Sequence, residues 1–394
     1  MSKSVRYLTF ALLYFAQGAI MGYFTALNAI YLLSYDVSMS QIGLMGTLVM
    51  IPFVLKIFLG MLSDRVNLFG LGYRKPYIII GLFLQACCLL AVPQVNPGKQ
   101  FWLFAALAFL LQCGMALYDT CTDGLALDTT PEEEEGRIQG LMVGGRALGV
   151  VIVGGIGFIA QEFSWNMAFL SLVVLTLLPL PLVIWGSKES PRSPESSFNW
   201  KAFAAFRKRP IIALGLLGAL YSLITNGANE LVNPFLQQEF GISIGTAGIM
   251  TMVWGMGVAL GGLTGGQLTH RVGYRRAVQW AMMIALVGIL TLALIFNPWI
   301  AWLLVPLFGL AFGYYETVYF AISMHSTDPR IAASMFAILM AVANIGTGIG
   351  LGISGILADT VGFRWTFVIL GMMNLLALPL LPAIFQKQEE VGAE

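Results

Sequence analysis

The chain has 394 residues, of which 58% are hydrophobic and only 10% charged, and its formal net charge is +1. Soluble domains carry about 25% charged residues, so this composition excludes an ordinary soluble protein and indicates a membrane protein. The basic residues lie in short loops rather than on one broad surface, which argues against nucleic-acid binding.

Hydrophobic runs of about 20 residues recur along the chain with short polar breaks, and each is long enough to cross a hydrocarbon core of about 30 Å. They predict twelve transmembrane helices and an all-α integral membrane fold. In chain order the twelve spans cover residues 7–33, 41–62, 76–93, 101–126, 138–160, 165–186, 211–236, 246–268, 277–296, 299–324, 332–357 and 364–385.

The distribution of basic residues predicts the orientation. If both termini are cytoplasmic, all but four of the 21 basic residues fall in inner loops and tails. The exceptions are Lys99 and Arg364 in outer loops and Lys56 and Arg146 inside spans. This asymmetry follows the positive-inside rule. We therefore predict a multi-pass protein of the inner (cytoplasmic) membrane with both termini in the cytoplasm.

The first span carries a polar stripe on an otherwise apolar segment. Its members recur at helical spacing, which predicts that they share one face; they are Tyr14, Gln17, Met21, Thr25 and Asn28. We interpret the stripe as part of the lining of a substrate cavity. The alternative is that these polar side chains only bridge neighbouring helices.

The second span ends in GMLSDRV, and YRKP follows after a spacer, so that this segment runs from Gly60 to Pro76. Acidic and basic residues in such a loop can pair with nearby helix ends and hold one conformation closed. We predict a conformational latch made of Gly60, Asp64, Arg65, Arg74 and Lys75. Lys56 is expected to extend toward the level of this loop.

The fourth span contains Asp119 and Asp123, one turn apart and on the same face as Gln112. An ionised carboxylate inside a membrane costs roughly 2.5–3.5 kcal/mol by insertion scales, so the pair predicts a functional site. Arg146 on the fifth span lies at a similar height and is the predicted charge partner of Asp119, or else forms a fixed packing bridge. Asp123 is then the predicted proton carrier. The Glu132–Glu135 run is predicted to cap the fifth span.

The longest polar interruption, Gly186 to Pro210, divides the chain into halves. It predicts an N-terminal six-helix bundle at 1–186, a cytoplasmic linker at 187–210 and a C-terminal six-helix bundle at 211–394.

The second half repeats the polar features of the first. The seventh span carries Thr225, Asn226, Asn229 and Asn233 as further cavity candidates, with Glu230 beside them as a further proton-coupling candidate. In the tenth span Glu316 is the predicted counterpart of Asp123, and Tyr315 and Tyr319 are predicted to line the cavity near it.

Two longer segments also recur. GQLTHRVGYRR, from Gly266 to Arg276, repeats the loop after the second span and adds Gly266, Arg271 and Arg275 to the predicted latch. GGIGFIAQEFSWNMAF, from Gly154 to Phe169, recurs as GISGILADTVGFRWTF, from Gly352 to Phe367. These copies predict two pseudo-symmetric six-helix bundles.

At these residues the chain resembles the major facilitator superfamily, whose Gly-x-x-x-Asp-Arg loop with downstream basic residues follows the second span and recurs in degenerate form after the eighth. The resemblance extends toward the muropeptide permease (AmpG-like) and acetyl-coenzyme A transporter branch. It is carried by IGLMGTLVMIPFVLKIFLGMLSDR, by YRKPYIIIGLFLQ and by the Asp119 and Asp123 pair ahead of TTPEEEEGR. It implies a transporter with its site near mid-membrane.

These features predict a secondary active transporter that works by alternating access and couples proton symport to an organic solute, possibly anionic or amphiphilic and muropeptide-like. The alternative is a non-transporting or lipid- or pigment-handling assembly factor on the same fold, which would need no carboxylates inside the membrane. The sequence has no phosphate-binding loop, and His270 and His325 lack metal-ligand spacing. We therefore predict no enzyme activity, cofactor or metal site. The predicted partners of this monomer are solute, protons and the lipid bilayer.

Overall fold

A computed structural model describes residues 3–70, 72–131, 134–186, 207–326 and 332–391. All regular structure in these ranges is helical. Twelve of the described helices are long and apolar enough to cross a membrane, which confirms the predicted fold class. They are α1 (Lys3–Leu33), α2 (Met39–Ser63), α3 (Lys75–Gln94), α4 (Phe101–Ala126), α5 (Gly140–Glu162), α6 (Trp165–Gly186), α7 (Arg209–Phe240), α8 (Ile244–Thr269), α9 (Tyr274–Leu292), α10 (Pro298–His325), α11 (Met335–Val361) and α12 (Phe363–Phe385).

Six of the described helices continue past the apolar segment. The helix α2 ends at Arg65, and the last part of α12 is Leu380–Val391. The full extents of the others are Phe101–Thr129 for α4, Glu135–Glu162 for α5, Ile244–Val272 for α8 and Ala332–Val361 for α11.

Side-chain caps separate the two pairs of spans that the sequence predicts to lie closest together, the fifth from the sixth and the ninth from the tenth. Before α6, the Ser164 hydroxyl accepts a hydrogen bond from Met167 N at 3.3 Å. Before α10, Asn297 Oδ1 accepts one from Trp299 N at 2.8 Å, and Pro298 occupies the first turn. Such caps satisfy backbone donors that a starting helix leaves open. Each pair therefore consists of two helices joined by a short turn.

The helix α2 is interrupted just before its lysine. Its parts are the helices Met39–Val54 and Lys56–Arg65, with Leu55 between them and Pro52 inside the first part. Proline provides no backbone N–H and crowds the carbonyl one turn earlier, so it weakens the helix on the N-terminal side of Leu55. Lys56 begins a new helical segment after Leu55.

By their internal packing the helices form two compact units. Unit 1 is Met1–Val37, Leu55–Ser197 and Ile242–Met252, and unit 2 is Ser38–Val54, Phe198–Gly241 and Val253–Glu394. The first part of α2 thus packs within unit 2 and the first part of α8 within unit 1. Most of the predicted linker, residues 187–206, lies outside the described residues, so the division of the chain at 187–210 stays a prediction.

At the starts of α2 and α8, backbone N–H groups donate hydrogen bonds to a side chain of the unit in which that part of the helix packs. In unit 2, the Asp359 carboxylate of α11 accepts hydrogen bonds from Met39 N at 3.1 Å and Ser40 N at 2.7 Å, at the start of α2. In unit 1, Gln161 Oε1 of α5 accepts one from Gly245 N at 3.1 Å, at the start of α8. Asp359 and Gln161 occupy equivalent positions in the repeated segment noted above. The repeat thus places equivalent caps in both units.

We expect Asp359→Ala to lower the free energy of unfolding by about 1 kcal/mol, within the range of about 0.5–2 kcal/mol typical of lost helix N-caps. The reason is that two backbone donors at the start of α2 lose their acceptor. Unfolding of the detergent-solubilised protein by heat or by SDS would measure the change.

The control is Thr360→Ala, because the exposed Thr360 hydroxyl bonds to carbonyls of its own helix, at Ile356 and Leu357. It should stay within about 0.5 kcal/mol of the native protein. Equal stability of the two variants would contradict the capping role of Asp359.

Candidate functional site

The two aspartates of α4 have different partners. Asp119 is 5% exposed; its Oδ1 accepts a hydrogen bond from Gln17 Nε2 at 2.6 Å and its Oδ2 lies 3.2 Å from Lys56 Nζ. Asp123, half-buried one turn further along, accepts a hydrogen bond from the Tyr14 hydroxyl. The helices α1 and α2 thus supply the donors to both carboxylates. Asp119 has a cationic partner, whereas Asp123 is hydrogen-bonded to a neutral phenol.

The ion pair of Asp119 is formed by Lys56 rather than by the arginine that the sequence suggested. No ion pair links Arg146 to either aspartate among the described residues, so the prediction that it is the charge partner of Asp119 is corrected here. The guanidinium carbon of Arg146 instead lies 5.5 Å from the centre of the Tyr14 ring. Residue rise along α4 and α5 predicts the relative heights of two residues but contains no information on which side chain lies between the helices.

Close packing of α1 on α5 places the Tyr14 ring at this position. A Cβ atom added to Gly18 would lie 2.0 Å from the carbonyl oxygen of Arg146, and one added to Gly149 would lie 2.1 Å from that of Phe15. Contact this close requires glycine, as in other membrane helix pairs with small residues at the interface. Tyr14 therefore touches Arg146 with its ring and Asp123 with its hydroxyl.

The remaining polar candidates of unit 1 are buried or half-buried. Gln112, on the face of α4 that bears the aspartates, is 4% exposed, and its Oε1 has no hydrogen-bond partner within the described part of the chain. Asn28 is 2% exposed and accepts a hydrogen bond from the Tyr23 hydroxyl at 3.2 Å. Thr25 is half-buried in a π-helical segment, Phe24–Asn28, which changes the register of α1 beyond Tyr23.

In unit 2, Asn226 joins α7 to α11, whereas Glu230 of α7 has no partner among the described residues. Asn226 Nδ2 donates to the Ser222 carbonyl at 3.0 Å and to the Thr347 hydroxyl at 3.3 Å. Glu230 is half-buried, and among the described residues it has no hydrogen-bond or ion-pair partner. The other cavity candidates on this helix are Thr225, whose hydroxyl donates to the Tyr221 carbonyl at 2.8 Å, the half-buried Asn229, and Asn233, which is 4% exposed.

The two tyrosines beside Glu316 belong to the core of unit 2. Tyr315 and Tyr319 are 1% and 0% exposed, and their rings lie 5.1 and 4.8 Å from that of Tyr221. Their part in the lining of a cavity stays a prediction. Space for the Tyr319 hydroxyl exists because Gly218 has no side chain; a Cβ there would lie 2.0 Å from that oxygen. Glu316 itself is half-buried.

The predicted latch after α2 surrounds a buried arginine. Arg74, 4% exposed, donates to the Ser63 hydroxyl and lies 3.5 Å from Asp128 Oδ2. A Cβ on Gly124 would lie 2.4 Å from the guanidinium carbon of Arg74, so glycine provides the space for that side chain. Lys75 Nζ donates to the Ile184 carbonyl at the end of α6. The loop is therefore anchored within unit 1 by Arg74 and Lys75.

The other latch candidates differ in environment. Gly60 faces α4, where a Cβ would lie 3.1 Å from Thr120 Cγ2, and Gly266 is half-buried. The basic residues Arg65, Arg271 and Arg275 are exposed, and the side chain of Asp64 lies outside the described residues. The second copy of the loop thus lacks the buried arginine of the first.

Glu134, the described side chain of the acidic run before α5, binds the start of α1. Glu134 accepts a hydrogen bond from Arg6 and lies 2.9 Å from Lys3 Nζ, and it provides no side-chain cap to α5. The prediction that the run caps α5 is therefore wrong for Glu134, because cations compete for its carboxylate. The hydrogen bond from Lys3 holds the pKa of Glu134 below its usual value. Glu132 and Glu133 lie outside the described residues.

Among the described residues the structure has twelve candidate membrane spans, and several of these spans contain carboxylates. The family model of the Major Facilitator Superfamily matches residues 8–229 and 217–393. The chain belongs to this superfamily.

Individual relatives agree with this assignment. The human synaptic vesicular amine transporter is 25% identical over 358 residues, which are 86% of this chain and 66% of that protein's length. The putative transporter AmpG 2 of Rickettsia typhi is 23% identical over 344 residues, which are 84% of each chain. Among solved structures, a variant of the nucleoside transporter NupG superposes with a TM-score of 0.79 at 14% identity, covering 96% of this chain and all of that one.

We expect Lys56→Gln to lower the free energy of unfolding by about 2–3 kcal/mol, since it leaves the buried Asp119 carboxylate without its cation; complete burial of the pair would give about 3–5 kcal/mol. Asp119→Asn should be similarly destabilising. The double variant should be more stable than the sum of the single effects predicts, because both charges are then absent.

Thermal unfolding in detergent would give the three values. Lys99→Gln is the control, because Lys99 is exposed in a loop, and it should change stability by less than about 0.5 kcal/mol. Strict additivity of Lys56→Gln and Asp119→Asn would show that the two side chains do not interact.

Proposed function

We propose that this transporter is a secondary active, proton-coupled symporter of an organic solute. The observation that carries the proposal is the unequal pairing of the α4 carboxylates. Asp119 has Lys56 as its counterion, whereas Asp123 has the neutral Tyr14 hydroxyl. Of two carboxylates inside a membrane, the one without a direct ion pair gives up less electrostatic stabilisation when it binds a proton. Asp123 is therefore the proposed proton carrier of unit 1, and Asp119 is a fixed charge.

Unit 2 supplies the second set of candidates. Glu230 on α7 has no hydrogen-bond or ion-pair partner within the described residues, so the same argument applies to it. Glu316 on α10 remains a candidate because it is half-buried inside a membrane span. Protonation of such a carboxylate changes the charge of its unit, and a change of charge can bias a protein between two conformations.

The proposed setting follows the distribution of basic residues. We place the protein in the inner membrane as a monomer with both termini in the cytoplasm, so that the loop around Arg74 lies on the cytoplasmic side. In that orientation the buried contacts of Arg74 with Ser63 and Asp128 support a latch that stabilises one conformation of the cytoplasmic ends.

The test is transport by the purified protein in liposomes with an imposed pH gradient. The first panel contains an amine, folate and biopterin, which the names of similar transporters give, and a nucleoside, as in the name of the structural neighbour. A muropeptide is added because of the AmpG-like resemblance of the sequence. We expect one of these solutes, or a solute found by a wider screen, to accumulate against its gradient and to carry protons with it. Accumulation that is independent of the pH gradient would contradict proton coupling.

Asp123→Asn should abolish accumulation driven by the pH gradient while it spares exchange of labelled for unlabelled solute, because exchange needs no net proton movement. Glu230→Gln and Glu316→Gln test the candidates of unit 2 in the same assay. The matched control is Asp36→Asn, since Asp36 is an exposed loop residue with a φ of 60°, a conformation that asparagine also adopts readily.

Native accumulation in Asp123→Asn would rule out Asp123 as the proton carrier. Native accumulation in all three carboxylate variants would reject the proposed coupling as a whole. Stable association with a pigment or lipid complex, without flux of any solute, would instead favour the assembly-factor alternative.

A further inference from the structure

The guanidinium of Arg146 has unused hydrogen-bonding capacity inside the membrane-spanning part of α5. It donates no hydrogen bond and forms no ion pair with any residue that the structure describes. Its described contact is with the ring of Tyr14, and its side chain is half-buried. A contact with an aromatic ring balances part of the charge but uses none of the five N–H donors of an arginine.

The neighbouring charged groups are already committed to other partners. Lys56 and Gln17 both donate to Asp119, and Tyr14 donates to Asp123. We refer to Tyr14, Gln17, Lys56, Asp119, Asp123 and Arg146 as the α4 cluster. With both aspartates ionised its two cations balance its two anions. When Asp123 binds a proton, the cluster carries one excess positive charge, and Arg146 is the cation without an ion-pair partner among the described residues.

We propose that Arg146 binds an anionic group of the transported solute, a carboxylate or a phosphate, and that this group and the proton on Asp123 occupy the α4 cluster together. The proposal rests on the proposed proton coupling and adds the chemical class of the solute. A planar guanidinium suits either anion, because its parallel N–H groups can donate to two oxygens at once. Lysine provides the charge without that paired geometry.

Joint occupancy explains why the two ligands would move together. A bound anion next to an ionised Asp123 would give the cluster a net negative charge inside the membrane, which is costly. A proton on Asp123 without an anion would leave it positively charged. The cluster is neutral with neither ligand or with both, and this is the condition that symport requires.

The experiment measures binding by the full-length protein in detergent, without any transport step. The protein is mixed with matched probes: uridine and uridine 5′-monophosphate, N-acetylglucosamine and N-acetylmuramic acid, and glucosamine as a cation. Retained probes are separated and quantified by mass spectrometry at pH 5.5 and pH 8. The two anionic probes distinguish phosphate from carboxylate recognition.

We expect the native protein to retain at least one anionic probe tenfold or more above its neutral partner, and more strongly at pH 5.5. Arg146→Gln should lose at least tenfold of that retention, and Arg146→Lys should lose a smaller part. The control is Arg276→Gln, an exposed position on α9, which should bind as the native protein does. Asp123→Asn mimics the protonated carboxyl group and should bind the anion at both pH values.

Retention of the neutral or cationic probes alone, of no probe at all, or of the anion by Arg146→Gln would each overturn the anion site. If Arg146→Lys bound as tightly as the native protein, only the charge of residue 146 would matter, and the paired recognition would be wrong. Failure of proton coupling has a separate signature: Asp123→Asn would keep gradient-driven accumulation while Arg146→Gln still lost the anion.

Discussion

The pairing of ionised groups inside a medium that cannot solvate them is the constraint on which this structure depends. A soluble protein can leave a carboxylate in water, but α4 places Asp119 where a cation and a hydrogen-bond donor have to reach it. Lys56 and Gln17 come from two other helices, so this one carboxylate fixes the mutual placement of α1, α2 and α4. Such an ion pair contributes modestly to net stability, because desolvation of both charges offsets much of their attraction. Removing one partner is nevertheless costly, because the other charge is then buried without compensation. The Lys56–Asp119 pair therefore contributes more to the specificity of helix packing than to net stability.

Glycine-mediated contact provides the framework that holds the cluster, and it recurs in both units. In unit 1, α1 packs on α5 at Gly18 and Gly149; in unit 2, a Cβ on Gly346 would lie 2.0 Å from the Ala219 carbonyl oxygen, and one on Gly350 would lie 2.2 Å from that of Leu223. The repeat thus conserves the packing of the first helix of each half on the fifth. It does not repeat the charges, because the contact in unit 2 joins Asn226 to Thr347.

The sequence predicted those features that depend on one helix at a time. Apolar length and the distribution of basic residues gave the twelve spans, and residue spacing placed Asp119 and Asp123 on one face. Prediction from the sequence failed where a contact depends on how a second helix is rotated about its axis. Arg146 was predicted to pair with Asp119 from its height in the membrane alone. Lys56 was predicted to extend toward the loop, because the segment IPFVLKIFLG does not show toward which helix an isolated lysine side chain points.

The two parts of α2 are held by interactions of different kinds. At its start, Asp359 accepts hydrogen bonds from two backbone N–H groups, and the neighbouring contact is through glycine, since a Cβ on Gly355 would lie 2.2 Å from the Met39 carbonyl oxygen. Past Leu55, Lys56 is joined to Asp119 by an ion pair inside the membrane, which is costly to break. The interruption at Leu55 thus separates the part of α2 that is held through its backbone from the part that is held through a charged side chain.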